Sequence, residues 1–152
     1  MNQVYSTVPR FSMRLVKEKS IKYPVEAIGD AKQAEIALRA YLHQQDCEHL
    51  VVLMLDARND MIGMSTVTTG GISGLSCAVR DIFKYAIVGR ASGIILGHNH
   101  PSGDCTPSQE DLNFTSRVKE AGQLLGVPLI DHLIISSGAR EGRYSLLEHH
   151  LI

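Results

Sequence analysis

The sequence predicts a single α/β domain in which helices flank a mixed β-sheet. Three observations favour this class. The length of 152 residues fits one domain of ordinary size. The shares of apolar and charged residues, 44% and 20%, are those of a globular protein rather than a disordered chain. Segments with helical periodicity also alternate with short apolar runs of strand length, two of which are joined by a tight turn.

An N-terminal arm and a capped helix are predicted to come first. Residues 1–26 are assigned to the arm, with one short strand near residues 14–16, and residues 27–152 are assigned to the domain. Asp30 is expected to cap the helix, with Gln33 three residues later as in a capping box. The side chains that follow share one helical face: Ala34, Ala37, Leu38, Tyr41 and Leu42.

A β-hairpin should follow this helix. Residues 49–56 lack the alternation of a half-exposed strand, so they are predicted to form a strand that is buried on both faces. Residues 57–60 have the composition of a turn, and residues 61–68 are predicted to form the second strand. Gly70 and Gly71 then interrupt the regular structure.

A second helix, a buried strand and a loop are predicted next. The strand covers residues 93–98, and the loop covers residues 99–107, which are rich in Pro, Gly and Asn. The helix before them spans about 76–89, and its inward face consists of Val79, Ile82, Phe83, Ala86 and Ile87.

The last part of the chain is predicted to hold one more helix and two strands. Thr106 followed by Pro107 marks the helix start, because proline suits the first helical position. The helix runs to about Leu125 and ends at Gly126, a typical left-handed stop. The remaining elements are a strand at 127–136, a turn at Ser137 and Gly138, and a strand at 143–147.

Composition excludes several classes of function. The formal net charge of −1 lacks the basic excess of a dedicated nucleic-acid binder, so direct DNA binding is not expected. No apolar run approaches the ~20 residues that span a bilayer, and the first residues lack the apolar core of a secretory signal. We therefore expect a cytoplasmic protein without a membrane partner. Cys47, Cys77 and Cys105 form no CxxC pair and are expected to be reduced thiols.

The segment GHNHPSGDCTPSQED, residues 97–111, carries the chemistry. His98 and His100 come directly after a buried strand, and residues two apart in an extended segment point to the same side. Ser108 and Asp111 lie three apart in the first turn of the next helix and share a face. Two histidines and a carboxylate are a common set of catalytic zinc ligands that leaves a fourth position for water. These donors favour Zn²⁺ over Mg²⁺, while Fe²⁺, Co²⁺ and Mn²⁺ stay open.

The spacing H-x-H-x7-S-x2-D resembles the JAMM motif of JAB/MPN metallopeptidases, and HNHPSG with PSxxD and the later DHLII at 131–135 resembles the RadC branch. The resemblance covers roughly residues 27–147 and implies an MPN-like fold, which is related to the cytidine-deaminase fold. The family pattern also includes a glutamate on an early strand. Glu48, in the string CEHLVVLMLDARN, matches that position.

The resemblance implies a zinc-dependent hydrolase that cleaves a peptide or isopeptide bond with a metal-activated water. His98, His100 and Asp111 would hold one zinc ion per chain, which lowers the pKa of its water towards ~7. Glu48 would accept a proton from that water and pass it to the leaving amine. Ser108 would donate a hydrogen bond to the oxyanion. The peptide or protein substrate and the oligomeric state, including a homo-oligomer, stay open.

The sequence is also compatible with several alternatives. A RadC-like accessory of DNA repair and a non-catalytic MPN scaffold are the rival functions. Glu48 read alone could be a solvated residue at a strand edge, and Ser108 a helix cap. Cys105 as a fourth ligand would close the site to water. His132 either orients a ligand from behind or is a core histidine satisfied by the backbone.

Overall fold

The computed structural model describes residues 8–25, 27–43, 45–70, 78–136 and 142–152. These residues form a five-stranded mixed sheet flanked by helices, which confirms the predicted α/β class. In chain order the elements are α1 (Ala31–Leu42), β1 (His49–Leu55), β2 (Met61–Thr69), α2 (Val79–Val88), β3 (Gly93–His100), α3 (Gln109–Leu125), β4 (Leu129–Ser136) and β5 (Arg143–Ser145).

The strand order β2-β1-β3-β4-β5 makes β3 the central strand. β1 pairs antiparallel with β2, which confirms the predicted hairpin. On its other side, β1 pairs antiparallel with β3. β3 and β4 are parallel, and α3 makes the crossover that a parallel pair requires. Since only residues 101–108 separate β3 from α3, the end of the central strand and the start of α3 lie close together at the same end of the sheet.

β1 is buried along its whole length because both of its faces meet helices. Leu50, Val52 and Met54 belong to a core with α2 and α3, represented by Phe83 and Phe114. The alternate side chains of β1 pack with α1 in a second core that includes Val51, Leu53, Leu55, Leu38 and Leu42. Two apolar layers therefore explain why the sequence of this strand shows no polar alternation.

α1 begins as predicted. The Asp30 carboxylate accepts the Gln33 backbone N–H at 2.7 Å. The Gln33 side chain completes the cap one residue earlier than in a capping box, because it accepts from Gly29 N–H at 2.7 Å rather than from the cap residue. Tyr41 is only partly buried and contacts Thr66 through its hydroxyl at 2.8 Å. The other four members of the predicted face are buried: Ala34, Ala37, Leu38 and Leu42.

The predicted strand near residues 14–16 is wrong. Residues 8–22 carry no regular structure, and Phe11 and Val16 are 86% and 75% exposed. The Leu15 side chain lies close to Gly89. A Cβ added to Gly89 would be 3.2 Å from Leu15 Cδ1. One such contact without a ladder of backbone hydrogen bonds does not make a strand. The division of the chain at residue 27 stays a prediction.

α2 is shorter than predicted and its inward face is narrower. Among described residues it starts at Val79, and Ser76 lies outside the described part of the chain. Ile82, Phe83 and Ala86 are buried as expected. Ile87 is 51% exposed, so its predicted inward position is wrong. It follows the buried stripe by one residue, which turns its side chain about 100° away from Ala86.

The boundaries around the motif also differ from prediction. β3 continues to His100, so the loop starts two residues later. α3 starts at Gln109 behind the cap residue Ser108, because the Ser108 side chain accepts the Asp111 N–H; Pro107 therefore precedes the cap. Gly126 is left-handed with a φ of 70°, as predicted.

β4 and β5 are shorter than their predicted ranges. β4 begins at Leu129, directly after Pro128, which has no N–H for the ladder. β5 ends at Ser145, and the chain then turns. The predicted turn at Ser137 and Gly138 lies outside the described residues. None of the helices described combines the length and the apolar character needed to cross a membrane.

Candidate metal centre

His98 and His100 lie on the same side of β3, at the end of the central strand. Their Nε2 atoms are 3.0 Å apart. The His98 side chain is fully buried, and that of His100 is 16% exposed. The two-residue spacing therefore brings two imidazole nitrogens together at one edge of the sheet, as the sequence predicts.

Asp111 faces both histidines from the first turn of α3. Its Oδ1 lies 3.5 Å from His98 Nε2, and its Oδ2 lies 3.8 Å from His100 Nε2. The Ser108 backbone N–H and hydroxyl both donate to Oδ2, at 2.8 and 2.7 Å. These bonds fix the carboxylate plane, so Oδ1 is the oxygen directed to the buried histidine.

A chain of hydrogen bonds runs behind His98. Thr115 Oγ1 donates to the Asp111 carbonyl at 2.6 Å, so the same oxygen accepts from His132 Nδ1 at 2.6 Å. His132 Nε2 is then an acceptor in the neutral ring, and it receives the His98 Nδ1 proton at 2.8 Å. His132 thus contacts His98 from behind, and its ring is engaged by side chains rather than by the backbone; that it orients a metal ligand stays a prediction.

This chain leaves the His98 Nε2 lone pair facing the centre. Burial, and to a lesser extent His100, lowers the pKa of His98 to about 3, and burial lowers that of His132 as well. Both rings are therefore neutral near neutral pH. His100 Nδ1 lies 2.6 Å from the Asp104 carbonyl and donates to it, so Nε2 is the ring nitrogen that faces His98, and it carries a lone pair whenever the ring holds a single proton.

The geometry of these donors fits a metal ion. Two lone pairs that face each other 3.0 Å apart repel unless a cation or a proton lies between them. Zn–N bonds of about 2.0–2.1 Å in a tetrahedron would hold two nitrogens roughly 3.3 Å apart. The observed spacing is close to that value, and the carboxylate oxygens lie at comparable distances from the two nitrogens.

Glu48 immediately precedes β1 and lies at the rim of the same site. Its Oε1 is 3.5 Å from His100 Nε2, and its side chain is 28% exposed. Glu48, His98 and His100 form a group whose ligand atoms all lie within 4.8 Å of one another. Burial raises the pKa of Glu48, nearby His100 lowers it, and Asp111 raises it. The structure therefore brings this glutamate to the histidines rather than leaving it in solvent.

Ser108 forms the capping box of α3. Its hydroxyl accepts from Asp111 N–H at 3.1 Å and donates to Asp111 Oδ2 at 2.7 Å. The cap is therefore the role that the structure describes, and this arrangement engages the hydroxyl proton with Asp111. Oxyanion stabilisation by Ser108 stays a prediction.

The cysteines contribute no donor to this group among the described residues. Cys47 and Cys105 are free thiols, and Cys77 lies outside the described part of the chain. The Cys105 thiol hydrogen-bonds to Ser136 and lies near Gly142, while burial raises its pKa. The thiol of Cys105 is thus engaged with Ser136 at the end of β4, and it is not a member of the group that Glu48 forms with the histidines.

Two residues that contact the site were not singled out from the sequence. Thr115 lies four residues after Asp111, a spacing that places both on one helical face. Asn99 is fully buried, and its amide bonds to the backbone of Cys47 and His49. The only signal for Asn99 was a polar residue between two candidate ligands in an apolar strand.

The fold and the site define an α/β domain with a histidine and carboxylate cluster at the end of its central strand. The family model described as "RadC-like JAB domain" matches residues 28–151. The chain therefore belongs to the RadC family of the JAB/MPN superfamily.

Relatives named "UPF0758 protein" agree with this assignment. One from Clostridium kluyveri is 50% identical over 91 residues, 60% of this chain and 40% of that protein. One from Rubrobacter xylanophilus is 39% identical over 115 residues, 76% of this chain and 49% of that protein. One from Thermotoga maritima is 38% identical over 133 residues, 86% of this chain and 59% of that protein. The chain spans about half the length of these curated relatives.

Proposed function

We propose that this chain is a zinc-dependent hydrolase of the JAMM type that cleaves a peptide or isopeptide bond with water as the nucleophile. The observation that carries the proposal is the convergence of the His98 and His100 lone pairs with the Asp111 carboxylate at one edge of the sheet. Membership of the JAB/MPN superfamily supports it.

In this proposal His98, His100 and Asp111 hold one zinc ion per chain. A bound Zn²⁺ supplies Lewis-acid chemistry, because it polarises a carbonyl and lowers the pKa of water towards ~7. Imidazole nitrogens and one carboxylate are the donors that suit this ion. Glu48 is within reach of His100 but lies at the exposed rim, which suits a residue that meets substrate.

Glu48 is assigned the proton transfers. Its carboxylate would take a proton from the attacking water and pass it to the departing amine. Burial and Asp111 keep its pKa above the ordinary value, which brings the carboxylate nearer to the pH at which it must both accept and release a proton. Ser108 would stabilise the oxyanion only after its hydroxyl turns away from Asp111 Oδ2.

Metal content tests the ligand set. The full chain is purified without metal-affinity chromatography and its zinc is measured by mass spectrometry. We expect about one zinc per chain, and loss of most of it in His98→Ala, His100→Ala and Asp111→Ala, because a three-ligand site cannot spare a donor. His43→Ala, which changes an exposed histidine at the end of α1, is the matched control and should keep its zinc. Full zinc content in His98→Ala would contradict the assignment.

Turnover tests the role of Glu48. A fluorescence-quenched library with linear and lysine-branched amide bonds is screened with the zinc-loaded wild type. Glu48→Gln should keep the metal and lose at least ~10²-fold in kcat, because the amide cannot accept a proton. Undiminished turnover in Glu48→Gln would show that another group is the base.

A non-catalytic scaffold is the second candidate, and one observation favours it. The Ser108 hydroxyl is engaged with Asp111 rather than free for an oxyanion. A scaffold would bind zinc and yet cleave no amide in the library. The same screen therefore separates the two functions.

A further inference from the structure

Asn99 lies between the two histidines of β3, and its side chain is fully buried. Neighbouring side chains of a strand point to opposite faces, so Asn99 does not share the side on which His98 and His100 meet. Its side-chain amide forms hydrogen bonds with two backbone groups. Oδ1 accepts the His49 N–H at 2.8 Å, and Nδ2 donates to the Cys47 carbonyl at 2.9 Å.

These two bonds flank Glu48 on both sides. The last residue pair between β1 and β3 is Leu50 with His98. Beyond that pair, the two hydrogen bonds of the Asn99 side chain connect β3 to the residues on either side of Glu48. On the other side, the Glu48 carbonyl accepts from Gly70 N–H at 2.7 Å. The backbone of Glu48 is thus held between the end of β2 and the strand that carries the histidines.

We propose that Asn99 is a positioning residue that holds Glu48 over His100, so that β3 supplies two of the three proposed metal ligands and also the support for the base. This inference rests on the proposed function, because it assigns Asn99 a part in the same reaction. Asn99 itself lies outside the reacting atoms. It would act by fixing the peptide groups before and after Glu48, which sets the direction in which that side chain leaves the backbone.

The consequence of losing this amide can be stated in advance. Asn99→Leu keeps the volume and removes both hydrogen bonds, which leaves the His49 N–H without its partner and the Cys47 carbonyl with the His49 ring alone. The base should then move away from His100. A displacement of about 1 Å in a catalytic group can lower kcat about 10²-fold. KM and zinc content should change little, because the ligands remain.

The experiment uses the full chain in four forms: wild type, Asn99→Leu, the milder Asn99→Ser, and Ser145→Ala as a matched control. Ser145 is as buried as Asn99 and also makes two side-chain hydrogen bonds, but they hold Asp131 and Glu148. Zinc per chain, kcat and KM on the amide library are measured, and each variant is repeated in a Glu48→Gln background. Asn99→Ser leaves space for water to bridge the two peptide groups, so it serves if Asn99→Leu fails to fold.

The second readout needs no turnover. A nuclear Overhauser contact between the Glu48 γ-methylene and the His100 ring reports the position of the base, and exchange of the His49 amide hydrogen reports the two bonds. We expect both Asn99 variants to weaken the contact and speed the exchange, while Ser145→Ala does neither. In the Glu48→Gln background, Asn99→Leu should cause no further loss of kcat.

The outcomes separate this inference from the proposed function. An inactive zinc-loaded wild type would overturn the hydrolase, and the nuclear Overhauser contact would still test Asn99. An active wild type whose Asn99 variants keep both kcat and the Glu48–His100 contact would overturn the positioning role alone. An equal loss of kcat with and without Glu48 would also overturn it, since that pattern indicates general damage to the fold.

Discussion

At the scale of single residues, His98 is the side chain most constrained by its neighbours. Its Nδ1 donates to His132, whose proton is in turn directed by the Thr115 hydroxyl. Such partners behind a ligand fix the tautomer and the ring orientation. Thr115 therefore influences the site although, among the proposed ligand residues, its side chain contacts only the backbone carbonyl of Asp111 and none of the proposed ligand atoms.

Thr115→Val should weaken zinc binding. The methyl group keeps the shape of threonine but cannot accept the His132 Nδ1 proton, so the orientation of His98 is no longer determined. We expect a loss of about 10–100-fold in zinc affinity, measured by competition with a chelator. Thr115→Ser keeps the hydroxyl and should bind zinc as the wild type does. Wild-type affinity in Thr115→Val would contradict the relay.

Burial of neutral histidines predicts that the metal-free protein is sensitive to acid. The pKa of His98 falls from its ordinary 6.5 to about 3 on folding, mainly through burial. A group with a depressed folded pKa stabilises the fold above its unfolded pKa, and this stability is lost as the pH falls. The free energy of unfolding of the zinc-free chain should therefore drop from about pH 6.5 down to about pH 3, by up to ~1.4 kcal/mol per pH unit for each such proton.

Urea denaturation at several pH values measures this slope. His98→Leu removes the titrating ring and should flatten the slope relative to the wild type, whereas Ser116→Ala, at an exposed position without a titratable group, should leave it unchanged. An equal slope in wild type and His98→Leu would show that other groups carry the acid sensitivity.

At the scale of elements, the contact between α3 and the start of β4 depends on Gly122. A Cβ at this position would lie 2.6 Å from the Val127 carbonyl oxygen and 3.3 Å from Leu129 N. Both neighbours are backbone atoms, which cannot move away as a flexible side chain can. Helix propensity alone favours alanine over glycine by about 1 kcal/mol, but the close approach of the two segments reverses the sign.

We expect Gly122→Ala to lower the free energy of unfolding by about 1–3 kcal/mol, a typical cost of overpacking. Chemical denaturation measures the change. Ser116→Ala, at an exposed position of the same helix, is the control, and it should be neutral or slightly stabilising. A stabilised Gly122→Ala would mean that the C-terminal part of α3 can separate from β4 without cost.

Local signals in the sequence predicted most of these elements. The unbroken apolar run of β1, the Asp30 cap and the Gly126 stop all act through neighbours in the chain, so their patterns are visible in it. The predicted end of β3 lies two residues before the observed end, because the last residues of the strand are polar side chains that belong to the site or support it. The orientation of Ile87 was missed because helical periodicity does not show where the neighbouring layer ends.

The site was predictable only as far as its motif extends. His98, His100 and Asp111 come from one contiguous segment, and the structure brings them together. Glu48 required the family resemblance, because nothing in its local sequence connects it to His100. The Asn99 and His132 contacts join residues far apart in the chain, and no spacing rule reports such pairs.

At the scale of the whole molecule, the charge balance predicts weak binding to DNA. With 15 basic and 16 acidic residues, few phosphates can be neutralised at once. We expect binding to duplex DNA to be lost at moderate salt, as measured by fluorescence anisotropy at two salt concentrations. A tight, sequence-selective complex at physiological salt would favour the DNA-repair accessory instead of a hydrolase.

The three proposed metal ligands are also close together along the chain, within the end of β3 and the start of α3. The denatured chain therefore keeps a local set of donors, whereas Glu48 and His132 join them only when the sheet assembles. An ion that binds both states stabilises the native one by less than its native affinity suggests. Zinc should consequently raise the melting temperature only modestly. An ion that binds early in folding would bind before Glu48, the proposed proton acceptor, reaches the site.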